Sequence, residues 1–149
     1  MNKSYGESDI NLKFWIELSR LNLVIGRNIF TPIKTFDLSP VQFAVLEALY
    51  HKGQLSVGQI KDSILTTSGN LTVVINNLEK RNLISSCPGE DRRVKLIDIT
   101  EEGARIIEGV FPSHVELLDE ILNFYEEDEK IELITLLSRL RENILEEKQ

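Results

Sequence analysis

The sequence predicts a mainly α fold with a small β-hairpin, and three observations carry that prediction. Apolar residues recur at steps of three and four along most of the 149-residue chain, the spacing of buried helix faces. Between Leu83 and Ile99 that spacing gives way to two short runs rich in β-branched and apolar residues, separated by Pro88-Gly89-Glu90-Asp91, which reads as a hairpin with a polar tip. Two short helical segments stand immediately before that hairpin.

From Asp9 to Phe30 the residues Phe14, Leu18, Leu21, Ile25 and Ile29 form one helical stripe, predicting a long first helix. Leu12, Trp15, Leu23 and Val24 lie off the stripe, so the helix needs apolar neighbours on more than one side, which suits an element shared between a core and a partner chain. A turn around Phe36 and Asp37 leads to Ser39-Pro40, a capping residue followed by proline at the first helical position. The second helix runs to Tyr50 on the stripe Phe43, Leu46, Leu49 and Tyr50, and closes at Gly53, which tolerates the left-handed conformation that ends helices. Leu55-Ser56 reads as a short connection, and Val57 to Leu65 as a third helix buried through Ile60, Ile64 and Leu65.

Thr66-Thr67-Ser68-Gly69 turns the chain into a fourth helix, from about Ser68 to Arg81. Leu71, Val74, Ile75 and Leu78 form its buried stripe, leaving Gly69, Asn70, Thr72, Val73, Asn76, Asn77 and Lys80 outward. Asn82 ends it, since Asn accepts positive φ. After the hairpin, Thr100 caps a helix whose acidic start, Glu101-Glu102, suits its positive end. That helix follows Ile107, Phe111, Val115, Leu118, Leu122 and Tyr125. Pro112 lies inside the pattern and removes a backbone hydrogen bond at about 3 kcal/mol, predicting a kink or break. The acidic run Glu126 to Glu129 starts a last helix on Ile134, Leu137, Leu140 and Ile144. Two short helices followed by a hairpin make a winged helix-turn-helix, here a lobe of about 37–100 within a single domain of 1–149.

With 42% hydrophobic residues the chain holds enough apolar material for one core and is too short for two of ordinary size. It shows neither a signal-peptide pattern nor a membrane span, so a soluble cytoplasmic protein without a membrane partner is expected. The single cysteine, Cys87, makes no intrachain disulfide and no multi-cysteine metal site. His51 and His114 lack the paired spacing of a zinc site, and the acidic run lacks the alternating ligands and glycine of a calcium loop. No metal and no cofactor are expected. Glycine-rich phosphate loop, nucleophile elbow and metal cluster are all missing from the sequence, which argues against an enzyme.

The formal charge of −7 argues at first against nucleic acid, because phosphate binding needs clustered positive charge. By segment the picture changes. Residues 1–51 hold five Lys/Arg against five Asp/Glu, 52–97 seven against four, and 98–149 five against fifteen. The acidity sits in the last third, while the middle is mildly basic and ends in Arg92, Arg93 and Lys95, an asymmetry that permits a nucleic-acid face on an acidic protein.

A helix-turn-helix presses its second helix into the major groove of double-stranded DNA. In the segment Ser56 to Arg81, Thr67 and Ser68 are placed near phosphates, and Asn70, Thr72, Val73 and Asn76 to reach bases, with Ser56, Gly69 and Lys80 completing the contact set. Asn pairs bidentately with adenine, and an apolar side chain touches the thymine methyl. The same pattern also fits an ordinary buried helical hairpin with a polar outer face. At the hairpin tip, Asp91-Arg92-Arg93 sets two guanidiniums beside a carboxylate able to fix one of them in a fork-like pair. An arginine so placed suits a narrow minor groove, although an isolated Asp-Arg-Arg is an ordinary solvated turn. A rival reading is a winged-helix protein-interaction module without specific DNA binding, which would keep the fold while losing the basic wing; Arg92, Arg93 and Lys95 argue against it.

The stretch Leu65-Thr66-Thr67-Ser68-Gly69-Asn70-Leu71-Thr72-Val73-Val74-Ile75-Asn76-Asn77-Leu78-Glu79-Lys80-Arg81-Asn82-Leu83-Ile84, followed by Asp91 to Thr100 and Glu102-Gly103, resembles the multiple-antibiotic-resistance-regulator (MarR) family of transcriptional regulators. The resemblance implies a homodimer with N- and C-terminal dimerisation helices over about 9–35 and 101–147, two winged helices reading a palindrome, and repression relieved by a small molecule or an oxidant. It matches Arg93 to the wing arginine that enters the minor groove and Asp91 to the carboxylate that orients it. Asn82 departs from the glycine of many members. The run Thr67 to Ile75 is also similar to members that respond to quinones, catechols and related phenolics, which implies a small aromatic effector held where dimer helices meet the DNA-binding lobe. Trp15, Phe36, Phe43, Tyr50 and His51 are the pocket candidates, though aromatics at helical spacing are more often plain core. Relatives that sense peroxides carry their cysteine in the first helix. Cys87 lies at the base of the wing with no Lys, Arg or His beside it in sequence, so a half-buried, inert strand cysteine is expected, with an approach by Arg92 or Arg93 across the hairpin still open.

Overall fold

A computed structural model of the chain describes residues 9–64, 68–91 and 93–147. They form α1 (Ile10–Ile29), α2 (Thr31–Lys34), α3 (Pro40–Lys52), β1 (Leu55–Ser56), α4 (Val57–Ile64), α5 (Ser68–Lys80), β2 (Ile84–Pro88), β3 (Lys95–Ile99), α6 (Glu101–Leu122) and α7 (Glu127–Glu146). The class is the predicted one, mainly helical with a hairpin wing. The turn Thr66-Thr67, together with Leu65 and Arg92, lies outside the described residues. Two compact units divide the chain, the first ending at Val115 and the second beginning at Glu116.

Local chemistry sets the element boundaries in the first unit. The Asp9 carboxylate accepts from the amides of Asn11 and Leu12 at 3.0 and 3.4 Å, opening α1. Ser39 and Gln42 form a reciprocal capping box at the start of α3, and Gly53 closes that helix at φ +76°. Asn82 ends α5 at φ +56°. Leu55-Ser56 is more than the expected connection: Leu55 pairs with Ile97 and Ser56 with Leu96, so β1 joins the hairpin in one antiparallel sheet of order β1-β3-β2. Two residues are too few for alternation to be read, which is why the strand escapes a pattern search.

The core of this unit gathers Ile33, Phe43, Leu46, Leu49, Ile60, Leu71, Leu78, Ile97, Ile107 and Val110. The stripe predicted for α5 is buried throughout, whereas Tyr50, assigned to the α3 stripe, is exposed and Val45 takes its place inside. Helix α6 starts hard against the lead-in to β2. Thr100 donates from its amide to the Leu83 carbonyl at 3.1 Å and from its hydroxyl to the Asn82 carbonyl at 2.8 Å, and accepts from the Gly103 amide at 3.1 Å. A side chain at Gly103 would overlap the Leu83 carbonyl oxygen and lie 2.9 Å from Ile99 Cγ1. No residue of α1 is buried.

Of the kink or break expected at Pro112, the break does not occur: α6 runs through it. Pro112 and Glu108, whose carbonyl loses its donor, are both on the exposed side of the helix, while Ile107, Val110 and His114 bury the opposite face and hold the helix in register.

In the second unit Glu126 caps α7 through a box with Glu129. The predicted stripe of Ile134, Leu137, Leu140 and Ile144 lies exposed along α7. Tyr125 falls beyond the end of α6. Among the described residues no helix is long and apolar enough to cross a membrane.

Candidate nucleic-acid interface

Helix α5 offers a two-sided surface. Leu71, Val74, Ile75 and Leu78 are buried, and all seven positions predicted outward are exposed: Gly69, Asn70, Thr72, Val73, Asn76, Asn77 and Lys80. Val73, 58% exposed, is an apolar contact surface among short polar side chains. Ser68 opens the helix, and Thr67 lies outside the described residues. Ser56 has a local role: its hydroxyl accepts from the Gln59 amide at 3.2 Å while Gln59 Oε1 accepts from the Ser56 amide at 2.8 Å, a capping box that starts α4.

The wing tip is ordered by its own backbone. Gly89 donates to the Val94 carbonyl and Val94 to the Asp91 carbonyl, each at 2.8 Å. The Asp91 carboxylate accepts from the backbone amide of Arg93 at 3.0 Å. The contact described between these two residues is therefore not the expected fork with a guanidinium: Asp91 shapes the turn, and the turn aims the exposed Arg93. Arg92 lies outside the described residues.

Lys95 also departs from expectation. It is no spare cation of the wing, because its ammonium pairs with Glu79 of α5 at 2.9 Å. A hydrogen bond from the Ser86 hydroxyl, and then Lys95, hold the Glu79 carboxyl below its ordinary range against a smaller desolvation effect. Cys87 is exposed rather than half-buried. Gln54 Nε2 donates to its Sγ at 3.7 Å, and Arg93 shares with it a surface cavity of about 260 Å³.

The effector candidates fall in separate places. Phe43 is core at 2% exposure, and Trp15, 64% exposed, stands on the outer surface of α1. The Phe36 ring lies against Gly109 of α6. Tyr50 and His51 do meet, edge to face with ring centres 5.3 Å apart, and His51 lies 5.0 Å from Phe111. The Tyr50 hydroxyl donates to Glu108 Oε1 at 3.2 Å, a bond that together with the carboxylate charge raises the phenol pKa. His51 also borders a cavity of about 290 Å³ between α3 and α4, floored by Ala44, Ala48 and Ile64.

Three residues with clear structural roles carried no sequence signal. Buried His114 places Nδ1 3.0 Å from the Ile29 carbonyl, tying the end of α1 to α6, and its ring lies 4.9 Å from that of Phe43. Arg81 and Glu79 tie α5 to the loop before α3 and to the wing. Among the described residues no group of three or more His, Cys, Asp or Glu could hold a metal ion.

Comparison with known proteins bears on the same elements. The MarR family model matches residues 38–95. The HTH-type transcriptional regulator MhqR of Bacillus subtilis is 40% identical over 126 residues, covering 84% of this chain and 86% of its own. In fold, the chain resembles the ligand-free crystal structure of the organohalide-sensing regulator RdhR, with a TM-score of 0.84 at 18% identity, covering 97% of this chain and 87% of that one. It also resembles a MarR variant from E. coli complexed with operator DNA, with a TM-score of 0.74 at 24% identity, covering 89% and 99%.

Proposed function

The chain belongs to the MarR family of winged helix-turn-helix transcriptional regulators, and from that premise we propose that it is a homodimeric repressor released from a palindromic operator by a small aromatic effector. As a member of this family it is a DNA-binding regulator and not an enzyme. The observation that carries the reading is the outward face of α5, short-chained and polar around Val73, next to a wing whose turn projects Arg93. Helix α5 enters the major groove, with Thr67 and Ser68 near phosphates and Asn70, Thr72, Val73 and Asn76 against base edges. Arg93 enters the neighbouring minor groove.

Exposed apolar side chains support the dimer. Phe14, Trp15, Leu21, Leu23 and Val24 stand out on α1, and Ile131, Ile134, Leu137, Leu140 and Ile144 on α7, more than a soluble monomer ordinarily leaves uncovered. Dimerisation through about 9–35 and 101–147 sets the two α5 helices about 34 Å apart, one turn of B-DNA. The effector acts by changing that span, which releases DNA without unfolding. Tyr50 and His51, in edge-to-face contact with each other, with His51 against Phe111 and bordering the cavity between α3 and α4, are the side chains best placed to sense it. Repression places the protein in the cytoplasm.

The test is binding of the purified protein to DNA from upstream of its own gene, at two salt concentrations and against unrelated DNA of equal length. Salt-sensitive binding that prefers the upstream fragment supports the reading and supplies the assay for phenolic and quinone effectors. Equal or absent binding to both fragments removes autoregulated repression.

A further inference from the structure

We propose that Glu79 is a positioning residue for DNA recognition, locking the wing to α5 through Lys95 so that Arg93 and the α5 face meet the duplex as one rigid unit. The inference rests on the wing and α5 being the DNA-binding surface.

Glu79 lies near the end of α5, on the flank between the buried stripe and the outward face, and is only partly exposed where Asn76 and Lys80 are exposed. Its two carboxylate oxygens take the Lys95 ammonium at 2.9 and 3.2 Å. Lys95 belongs to β3 and is paired in register with Pro88 of β2, so a carboxylate on the recognition helix holds the central strand of the sheet at the point where the hairpin begins.

The position of that tie matters. Lys95 is paired with Pro88, the last register pair before the tip. The third strand, β1, supports β3 only at Leu96 and Ile97, so the ladder is two-stranded at the tip end, where ribbons twist most freely. Arg93 leaves the backbone two residues beyond Lys95. Small rotations of the ribbon there swing its guanidinium through the width of a minor groove, and the bond to Glu79 opposes that rotation from the helix the wing must match.

The charge arithmetic separates this role from a plain electrostatic one. If Lys95 were a phosphate contact, freeing it by Glu79→Gln would strengthen DNA binding, since a carboxylate near the duplex is also removed. As half of a strut, its release weakens binding.

The experiment uses the full-length protein and a duplex it selects from a random-sequence library. Affinities are measured for the wild type, Glu79→Gln, Lys95→Met, the neutral pair Glu79→Gln/Lys95→Met and the swap Glu79→Lys/Lys95→Glu, each with and without Arg93→Ala. The neutral pair leaves net charge unchanged and is expected to bind about three- to tenfold more weakly, no worse than the weaker single variant, with the unfolding midpoint close to wild type. The swap is expected to recover most of the loss, and Arg93→Ala to cost far less in the neutral pair than in the wild type. Tighter binding by Glu79→Gln, or an equal cost of Arg93→Ala in both backgrounds, overturns the proposal. Failure of Arg93→Ala to weaken the wild type would instead overturn the wing reading on which it stands.

Discussion

The guanidinium of Arg81 donates to the Asp37 carbonyl at 2.7 Å and to the Phe36 carbonyl at 3.2 Å, so the residue just past α5 clamps the turn that leads into α3. Asp37 sits there at φ +53°, a conformation that costs a non-glycine residue energy unless its surroundings hold it. Replacing Arg81 with Met is expected to lower stability by about 1–2 kcal/mol by urea unfolding, with Lys recovering less than half, because the two carbonyls are met by two separate guanidinium nitrogens that a single ammonium nitrogen does not reproduce. A Lys variant as stable as wild type would mean that charge alone holds the turn.

At Gly103 the constraint is steric. A methyl group there meets the Leu83 carbonyl, which itself accepts from Thr100, so the start of α6 must move away from the sheet. Gly103→Ala is expected to cost about 1–3 kcal/mol. Thermal unfolding within a few tenths of a degree of wild type would show that α6 shifts freely at this point.

For the wing, Arg93→Ala is expected to weaken operator binding by more than about threefold and to lower the salt slope by about 1 if the side chain reaches phosphates as well as the groove. Sedimentation should show the same assembly for both proteins. Unchanged affinity would remove the wing from the mechanism.

Asn70 makes the complementary case on α5. Asn70→Ala is expected to change which base pairs are preferred, by about 1–3 kcal/mol at the positions it reads. Profiling against a library of operator variants decides this: loss of the same size on every sequence would assign Asn70 to the backbone.

Glu79 supplies a pH prediction. Its carboxyl is held below the ordinary value of 4.5, first by Ser86 and then by Lys95. A depressed folded-state pKa means a stability contribution fully present above that ordinary value and lost as pH falls through the folded one. The stability difference between wild type and Glu79→Gln should be flat from neutral pH down to about 4.5 and shrink below it. A carboxyl resonance titrating at the ordinary value would contradict the cause assigned here.

Much of the architecture was legible in residues that are neighbours in sequence. The step of Leu71, Val74, Ile75 and Leu78, the Ser39-Pro40 start of α3 and the polar tip between β2 and β3 each rest on interactions that span a few residues, and the same interactions operate in the folded chain. With them came the outward face of α5 and the place of Arg93.

Tertiary structure decided what neighbours cannot. Lys95 reads as one cation of a basic cluster until the fold brings it to Glu79, 16 residues away. Arg81 meets Asp37 across 44 residues and His114 meets Ile29 across 85. Pro112 stays within a helix because packing on the far face outweighs one lost bond. The aromatic candidates follow the same rule: composition supplied five, and packing set Phe43 in the core, Trp15 on the surface and only Tyr50 with His51. Periodicity and capping are energies of the local chain, so the sequence alone determined the elements and their faces. Which charges are cancelled and which side chains share a site depends on contacts formed only after the chain has closed on itself, and those only the tertiary structure decided.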